Sequence, residues 1–260
     1  MGILNVTPDS FYDRGRFFEP EEAIDHGVRM VEAGASMIDV GGESTRPGAA
    51  RVSGQEQIER VAPVIQGLAS RTAAAISVDT TSSMVARAAL DAGATIINDI
   101  SACTEDPEMV ELARETGAGL VLMHMRGTPR TMQLQPVYDD VVREIREYLV
   151  SAADRVVGAG VDPGQICIDP GIGFGKTVEH NLCLLRHLEV FVETGYPVLI
   201  GTSRKSFLGR VLGREVDDRL WGSLATAAWA AREGAAVIRV HDVAQTVDVV
   251  RVMAAIRDEA

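Results

Sequence analysis

Short apolar, β-branched runs recur along the whole chain, and helical periodicity fills much of the sequence between them. The runs are Ile3–Val6, Met37–Val40, Ala75–Val78, Thr95–Ile97, Leu120–Met123, Ile166–Ile168, Val198–Ile200 and Ala236–Val240. Among the intervening stretches, Glu22–Ala33, Gln57–Leu68, Ser83–Ala92, Val137–Val157 and Leu220–Arg232 carry apolar residues at the spacing of one helix face. Several end at a glycine before the next apolar run, at Gly34, Gly93, Gly117, Gly160, Gly195 and Gly234, where a left-handed C′ residue is easily accepted. Runs that are apolar throughout belong to parallel strands covered on both faces, because an exposed antiparallel strand alternates with polar residues. Eight β-α units in 260 residues match a closed (β/α)₈ barrel, the TIM barrel. A doubly wound open sheet has the same periodicity and stays open on this ground alone. No linker or low-complexity tract divides the chain, so residues 1–260 are expected to form one barrel domain.

The charge balance narrows the ligands. Lys and Arg total 25 against 37 Asp and Glu, a net charge of -12, which argues against a broad basic surface for nucleic acid. An anionic ligand must then be met by a local cluster of cations. Cys103, Cys167 and Cys183 are odd in number and lack zinc or redox spacing, as in a reduced protein where they are bystanders. No apolar run is long enough to span a bilayer, and no targeting pattern follows Met1, so a soluble cytoplasmic protein is expected.

The polar residues at the ends of the apolar runs carry the chemistry: Asn5, Asp39, Asp79, Asn98, His124, Asp169, Thr202, and Arg239 with His241. In a barrel, the C-terminal strand ends converge on one mouth. Any one of these residues can merely start a turn or cap a helix. Capping alone, however, does not account for so mixed a set of carboxylate, carboxamide and imidazole. Asp79, Asn98 and Asp169 combine acceptors with a donor, which suits the parallel N–H groups of an amino-oxo pyrimidine edge. A magnesium site is the other reading of such a group. Two glycine-rich loops, 41–48 and 170–176, place amides near a cation and can hold anions, without Rossmann or Walker spacing. In Gly201–Ser206 a strand hands over to a helix, so Ser206 and its neighbours can receive a carboxylate while Lys205 reaches inward.

Seven strings taken together resemble the dihydropteroate synthase family over essentially the whole chain. They are Met1–Phe11, Asp39–Gly48, Ser77–Thr80, Asn98–Ile100, Asp169–Lys176, Thr202–Gly209 and Arg239–Asp242, in family order. The resemblance implies a (β/α)₈ barrel that joins a dihydropterin pyrophosphate to 4-aminobenzoate, with Mg²⁺ as cofactor and a homodimer as the usual assembly. It implies that Asp79, Asn98, Asp169 and Lys205 hold the pterin, and that Asn5 binds Mg²⁺. Thr45, Arg46, Arg239 and His241 would meet or close over the pyrophosphate, and Phe11, Pro47, Phe174 and Ser206 would shape the 4-aminobenzoate pocket. Asp13 would stabilise positive charge at the methylene, and with Arg46 it is the implied catalytic pair. After Phe11 the family's Ser-Asp-Gly-Gly is replaced by Tyr12-Asp13-Arg14-Gly15, adding bulk and a cation to a loop that must close. The family also commonly carries residues ahead of the first strand that cover the barrel floor, whereas here Met1 leads straight into strand-like residues. Two other readings are a pterin-binding member without turnover and a pterin-dependent methyltransferase. The Ser44–Pro47 and Ser203–Ser206 segments count against the methyltransferase, which has no pyrophosphate site.

Overall fold

The computed structural model describes residues 1–7, 20–43, 52–128, 131–132 and 136–258. The strands are β1 (Gly2–Asn5), β2 (Met37–Gly41), β3 (Ala75–Asp79), β4 (Ile96–Asp99), β5 (Gly119–Met123), β6 (Ile166–Asp169), β7 (Leu199–Ile200) and β8 (Val237–Ile238). β1 to β6 pair in sequence order, all parallel, and β7 pairs with β8 in the same sense. Two parallel bridges, Ile168 with Val198 and Gly2 with Val240, join the two sheets and return the order to its start. Ile168 N donates to Pro197 O at 2.9 Å, and Ile3 N to Val240 O at 2.9 Å. The ring is therefore a (β/α)₈ barrel, and the open-sheet alternative falls.

Its core is what the apolar runs require: Ile38, Val40, Ile76, Val78, Ile97, Leu120, Leu122, Ile166 and Ile168 are all buried. Helices α1 (Pro20–Glu32), α2 (Gly54–Arg71), α3 (Ser83–Asp91), α4 (Glu108–Thr116), α5 (Val141–Gly158), α6 (Val178–Arg186), α7 (Glu189–Val192), α8 (Ser206–Leu212), α9 (Leu220–Arg232) and α10 (Val243–Asp258) surround it. α2 shows how one forms: Ser53 Oγ accepts from Glu56 N at 3.2 Å, and Val61, Val64, Ile65 and Leu68 give it a buried face. All six of the expected glycine stops have positive φ, between 70° and 113°.

Two boundaries differ from expectation. α5 starts at Val141 rather than Val137, because Asp140 caps it by accepting from Arg143 N at 3.0 Å and leaves Val137 in solvent. β7 and β8 are only two residues long, and the rest of their apolar runs contributes the closing bridges. α4, α6, α7, α8 and α10 were not read from periodicity. α10 shows why: its apolar residues are spread around the helix, so no single face stands out.

One loop has little room for change. Gly171, at φ +67°, lies so close to β5 that an added β-carbon would stand 2.0 Å from the backbone oxygen of His124. Gly171→Ala is expected to cost roughly 2–4 kcal/mol, from left-handed strain and overpacking against backbone. Urea denaturation checks it, and a loss below about 0.5 kcal/mol would show that the turn relaxes freely.

Candidate active site

At the carboxyl ends of the strands, one guanidinium serves two carboxylates. Arg239, just after β8, donates through Nε to Asp39 Oδ2 at 2.6 Å and through Nη2 to Asp79 Oδ2 at 2.8 Å. Asn98 Nδ2 donates to the same Asp39 oxygen at 3.1 Å. These side chains come from β2, β3, β4 and the residue after β8, so the barrel itself brings them together. Asp39 is wholly buried, and its Oδ1, like Ser77 Oγ beside it in register, has no hydrogen-bond partner among the described residues. A polar interior of this kind costs stability, which is a mark of a site kept for function.

The imbalance of charge falls on Asp79. Burial pushes its carboxyl up to about 7, Arg239 opposes the rise, and Asp39 adds to it. Asp169, at the end of β6, is also raised by burial, against Lys205, the Gly171 amide, Lys176 and Arg239. Gly171 N donates to Asp169 Oδ1 at 2.6 Å. Burial lowers the Lys205 ammonium to about 8, with Asp169 acting to hold it up. Lys205 Nζ donates to Ile172 O and stands 4.6 Å from the centre of the Phe174 ring. Asp79, Asn98, Asp169, Lys205 and Arg239 thus share one electrostatic cluster.

The loops after β7 and β8 are tied to each other. Arg204, in a left-handed conformation at φ 57°, reaches Asp242 through two hydrogen bonds of 3.0 and 2.6 Å. Ser203 Oγ accepts from His241 N at 3.2 Å and lies 3.0 Å from its Nδ1. His241 is therefore held beside the segment that carries Lys205 and Ser206. Ser206 is the exposed first residue of α8. Asn5 ends β1 half-buried, opposite Gly41, where a β-carbon would meet Asn5 Oδ1 at 3.5 Å and Asp79 Cβ at 3.6 Å.

Some expectations change. The 170–176 loop is not an open anion cradle: Gly171 N is spent on Asp169, Gly173 N donates to Asn181 Oδ1, and Phe174 N to Gly171 O. Lys176 turns inward, with 3% of its surface exposed. Thr202 is buried against Thr226, whose Oγ1 donates to it at 2.8 Å, so it supports the loop. Asp39, expected only as a strand-end residue, anchors Arg239. A lone carboxylate inside an apolar strand was the available signal, since a buried charge needs a partner. Phe11, Asp13, Thr45, Arg46 and Pro47 lie outside the described residues. Cys103 and Cys167 thiols are both raised by burial, Cys167 to about 12, which suits bystanders rather than nucleophiles.

A cavity of about 600 Å³ opens at the other end of the barrel, lined by Met37, Val237, Val243, Val247, Val250 and Met253 among others. Its wall is mainly apolar and holds none of the paired carboxylates, so the chemistry lies at the carboxyl end.

Residues 1–241 match the family model described as pterin binding enzyme. The chain is 49% identical over 255 residues to the dihydropteroate synthase of Escherichia coli K12, covering 98% of this chain and 90% of that one. Its fold matches the Yersinia pestis dihydropteroate synthase in a sulfonamide drug complex at a TM-score of 0.94, with 44% identity over 100% of this chain and 93% of that one. The Xanthomonas albilineans dihydropteroate synthase with 4-aminobenzoic acid gives a TM-score of 0.93 and 46% identity, covering 98% of this chain and 92% of that one. The chain belongs to the pterin-binding enzyme family. Within it, the function is that of a dihydropteroate synthase, a transferase of folate biosynthesis.

Proposed function

We propose that the chain condenses 6-hydroxymethyl-7,8-dihydropterin pyrophosphate with 4-aminobenzoate to give 7,8-dihydropteroate and pyrophosphate. The observation that carries this is the cluster in which Arg239 bridges Asp39 and Asp79 beside Asn98, Asp169 and Lys205. Asp169 and Asp79 present acceptor oxygens to the N–H groups of the pterin, Asn98 adds an amide, and Lys205 donates to a ring acceptor. Arg239 and His241 face the pyrophosphate, and Thr45 and Arg46 are assigned to the same end of the substrate. Phe174 and Ser206, with Phe11 and Pro47, form the 4-aminobenzoate side.

The C–O bond at the methylene breaks and its electron pair leaves on pyrophosphate, and the amine nitrogen of 4-aminobenzoate then forms the C–N bond. The amine then sheds a proton. No side chain need form a covalent intermediate, so the residues act by positioning and by matching charge. Asp13 offsets positive charge at the methylene. Among the described residues no group of three His, Cys, Asp or Glu is placed to hold a metal ion. Magnesium held mainly by phosphate and water needs few protein ligands, so the amide oxygen of Asn5 fits it as a single donor. When bound, Mg²⁺ would neutralise charge on the leaving pyrophosphate.

The proposed setting is cytoplasmic; among the described residues no helix is long and apolar enough to cross a membrane. A homodimer accounts for the apolar side chains left outside: Trp221 is 76% exposed, Ile256 62% and Val252 58%.

The test measures pyrophosphate release with the pterin pyrophosphate and Mg²⁺, with and without 4-aminobenzoate, and looks for dihydropteroate by mass spectrometry. Product that depends on 4-aminobenzoate supports the reading. Tight pterin binding without product would make the chain a pterin binder.

Proton uptake offers an independent check. Asp79 sits at about 7 in the free protein, and N–H donors from a ligand favour its ionised form. Pterin binding near pH 7 should therefore release a fraction of a proton, and that release should give way to uptake near pH 9, where Asp79 is already ionised and Lys205, at about 8, gains the proton it donates. Titration calorimetry in buffers of different ionisation heat measures this; uptake at pH 7 would contradict it.

A further inference from the structure

Lys176 lies under the site without facing it. Its Nζ is 2.9 Å from His124 Nδ1, 3.1 Å from His124 O and 2.9 Å from Phe174 O. A β-carbon added at Gly171 would stand 3.3 Å from the same Nζ, so the ammonium sits against the turn whose amide holds Asp169. His124 N in turn donates to Asp169 O at 2.9 Å, which stitches the end of β5 to that of β6. The two carbonyls can only accept, so each takes one Nζ–H. The third contact runs from Nζ to Nδ1 if lysine is charged, or from Nδ1 to Nζ if it is neutral. The neighbouring Asp169 carboxylate favours the charged form, in which three donors meet three acceptors and the imidazole carries its proton on Nε2. Burial holds the Lys176 ammonium well below the ordinary lysine value, Asp169 opposes that and Lys205 adds to it; with Asp169, the three acceptors around Nζ are what favour the charged form. His124 itself stays neutral, since burial and then Lys176 lower it to about 2.

We propose that Lys176 is a positioning residue for pterin recognition: pinned by His124 and Phe174, it draws the 170–176 loop onto β5 and sets a fixed countercharge beneath Asp169. Asp169 is thereby kept ionised and purely accepting, and Phe174 is held where Lys205 stands over its ring. This rests on the reading of Asp169 as a pterin-binding group.

The test follows the affinity for 6-hydroxymethyl-7,8-dihydropterin against pH in the unsubstituted protein, Lys176→Met and Lys176→Gln. Affinity needs the Asp169 and Asp79 anions, so it is present above both carboxyl pKa values and lost as pH falls through them; Asp79, at about 7, is common to all three proteins, so a difference in the limb between them reports Asp169. The charged and polar groups facing Asp169 are Lys205 and Arg239 from the loops after β7 and β8, Lys176, and the Gly171 amide. Cys167, on the same strand, stays a neutral thiol. Lys205 and Arg239 are unchanged in the variants, so removing the Lys176 charge moves the acid limb to higher pH by about one unit. The loss of affinity in both variants approaches about tenfold at pH values below both midpoints and shrinks as pH rises above them. Gln keeps a hydrogen-bond donor but no charge; a packing role alone would let it restore affinity and leave the midpoint in place, and that result overturns the proposal.

Should neither variant fold, nitrogen NMR of the unsubstituted protein decides. The Nε2–H tautomer of His124 between pH 6 and 9 supports the pinned ammonium, and the Nδ1–H tautomer overturns it. Failure of the unsubstituted protein to bind the pterin at any pH would instead overturn the site reading and this inference with it.

Discussion

Arg239→Met is expected to cost the protein about 3–5 kcal/mol of stability and at least about 10² in turnover. The guanidinium is the direct partner of Asp39 at 2.6 Å and of Asp79 at 2.8 Å, and methionine leaves both buried anions without it. Asp79 already stands at about 7 with Arg239 lowering it, so its pKa rises further once the cation is gone. The folded variant then holds a proton that the unfolded chain has lost from about pH 4 upward. Stability therefore falls as pH rises through that window. Relative to the unsubstituted protein, the deficit should be largest near pH 8.5 and smaller near pH 5.5. Urea denaturation at both values measures it. An equal deficit at both, or one under 1 kcal/mol, would mean that Arg239 is not the charge on which this interior depends.

Asp169→Asn should separate recognition from folding. The amide oxygen can still accept from Gly171 N, now at 2.6 Å, so the turn has reason to persist. The other half of the group becomes an NH₂ donor facing pterin N–H groups, and a mismatched buried pair costs about 1–3 kcal/mol. Pterin affinity should fall roughly 5- to 150-fold while the melting temperature moves little. The variant also loses the carboxylate that supports the Lys205 and Lys176 ammonium groups, so part of the loss should be regained as pH falls toward 6. Affinity equal to that of the unsubstituted protein would remove Asp169 from the site.

The relation between sequence and site is uneven, and particular residues show where it breaks. Asp79, Asn98, Asp169 and Arg239 could be picked out because each interrupts or ends an apolar run, a property visible in a few consecutive residues. Asp39 is just as much a part of the cluster, but its partner lies 200 residues away and nothing local names it. Lys176 differs in direction from what its neighbours imply: beside a glycine-rich loop it reads as a cation for an anion, and folding turns it toward carbonyls. The clamp between Arg204 and Asp242 joins two loops 38 residues apart, and no local pattern announces it.

Sequence alone determined that eight apolar runs separated by glycine-stopped helices would build parallel β-α units, because periodicity and the left-handed stop are local properties. Its seven strings also carried the family. Tertiary structure decided that the ring closes, through two bridges that join strands distant in the chain. It also decided the charge state of the site, because desolvation and Coulomb interactions depend on which groups share a buried space rather than on their order in the chain.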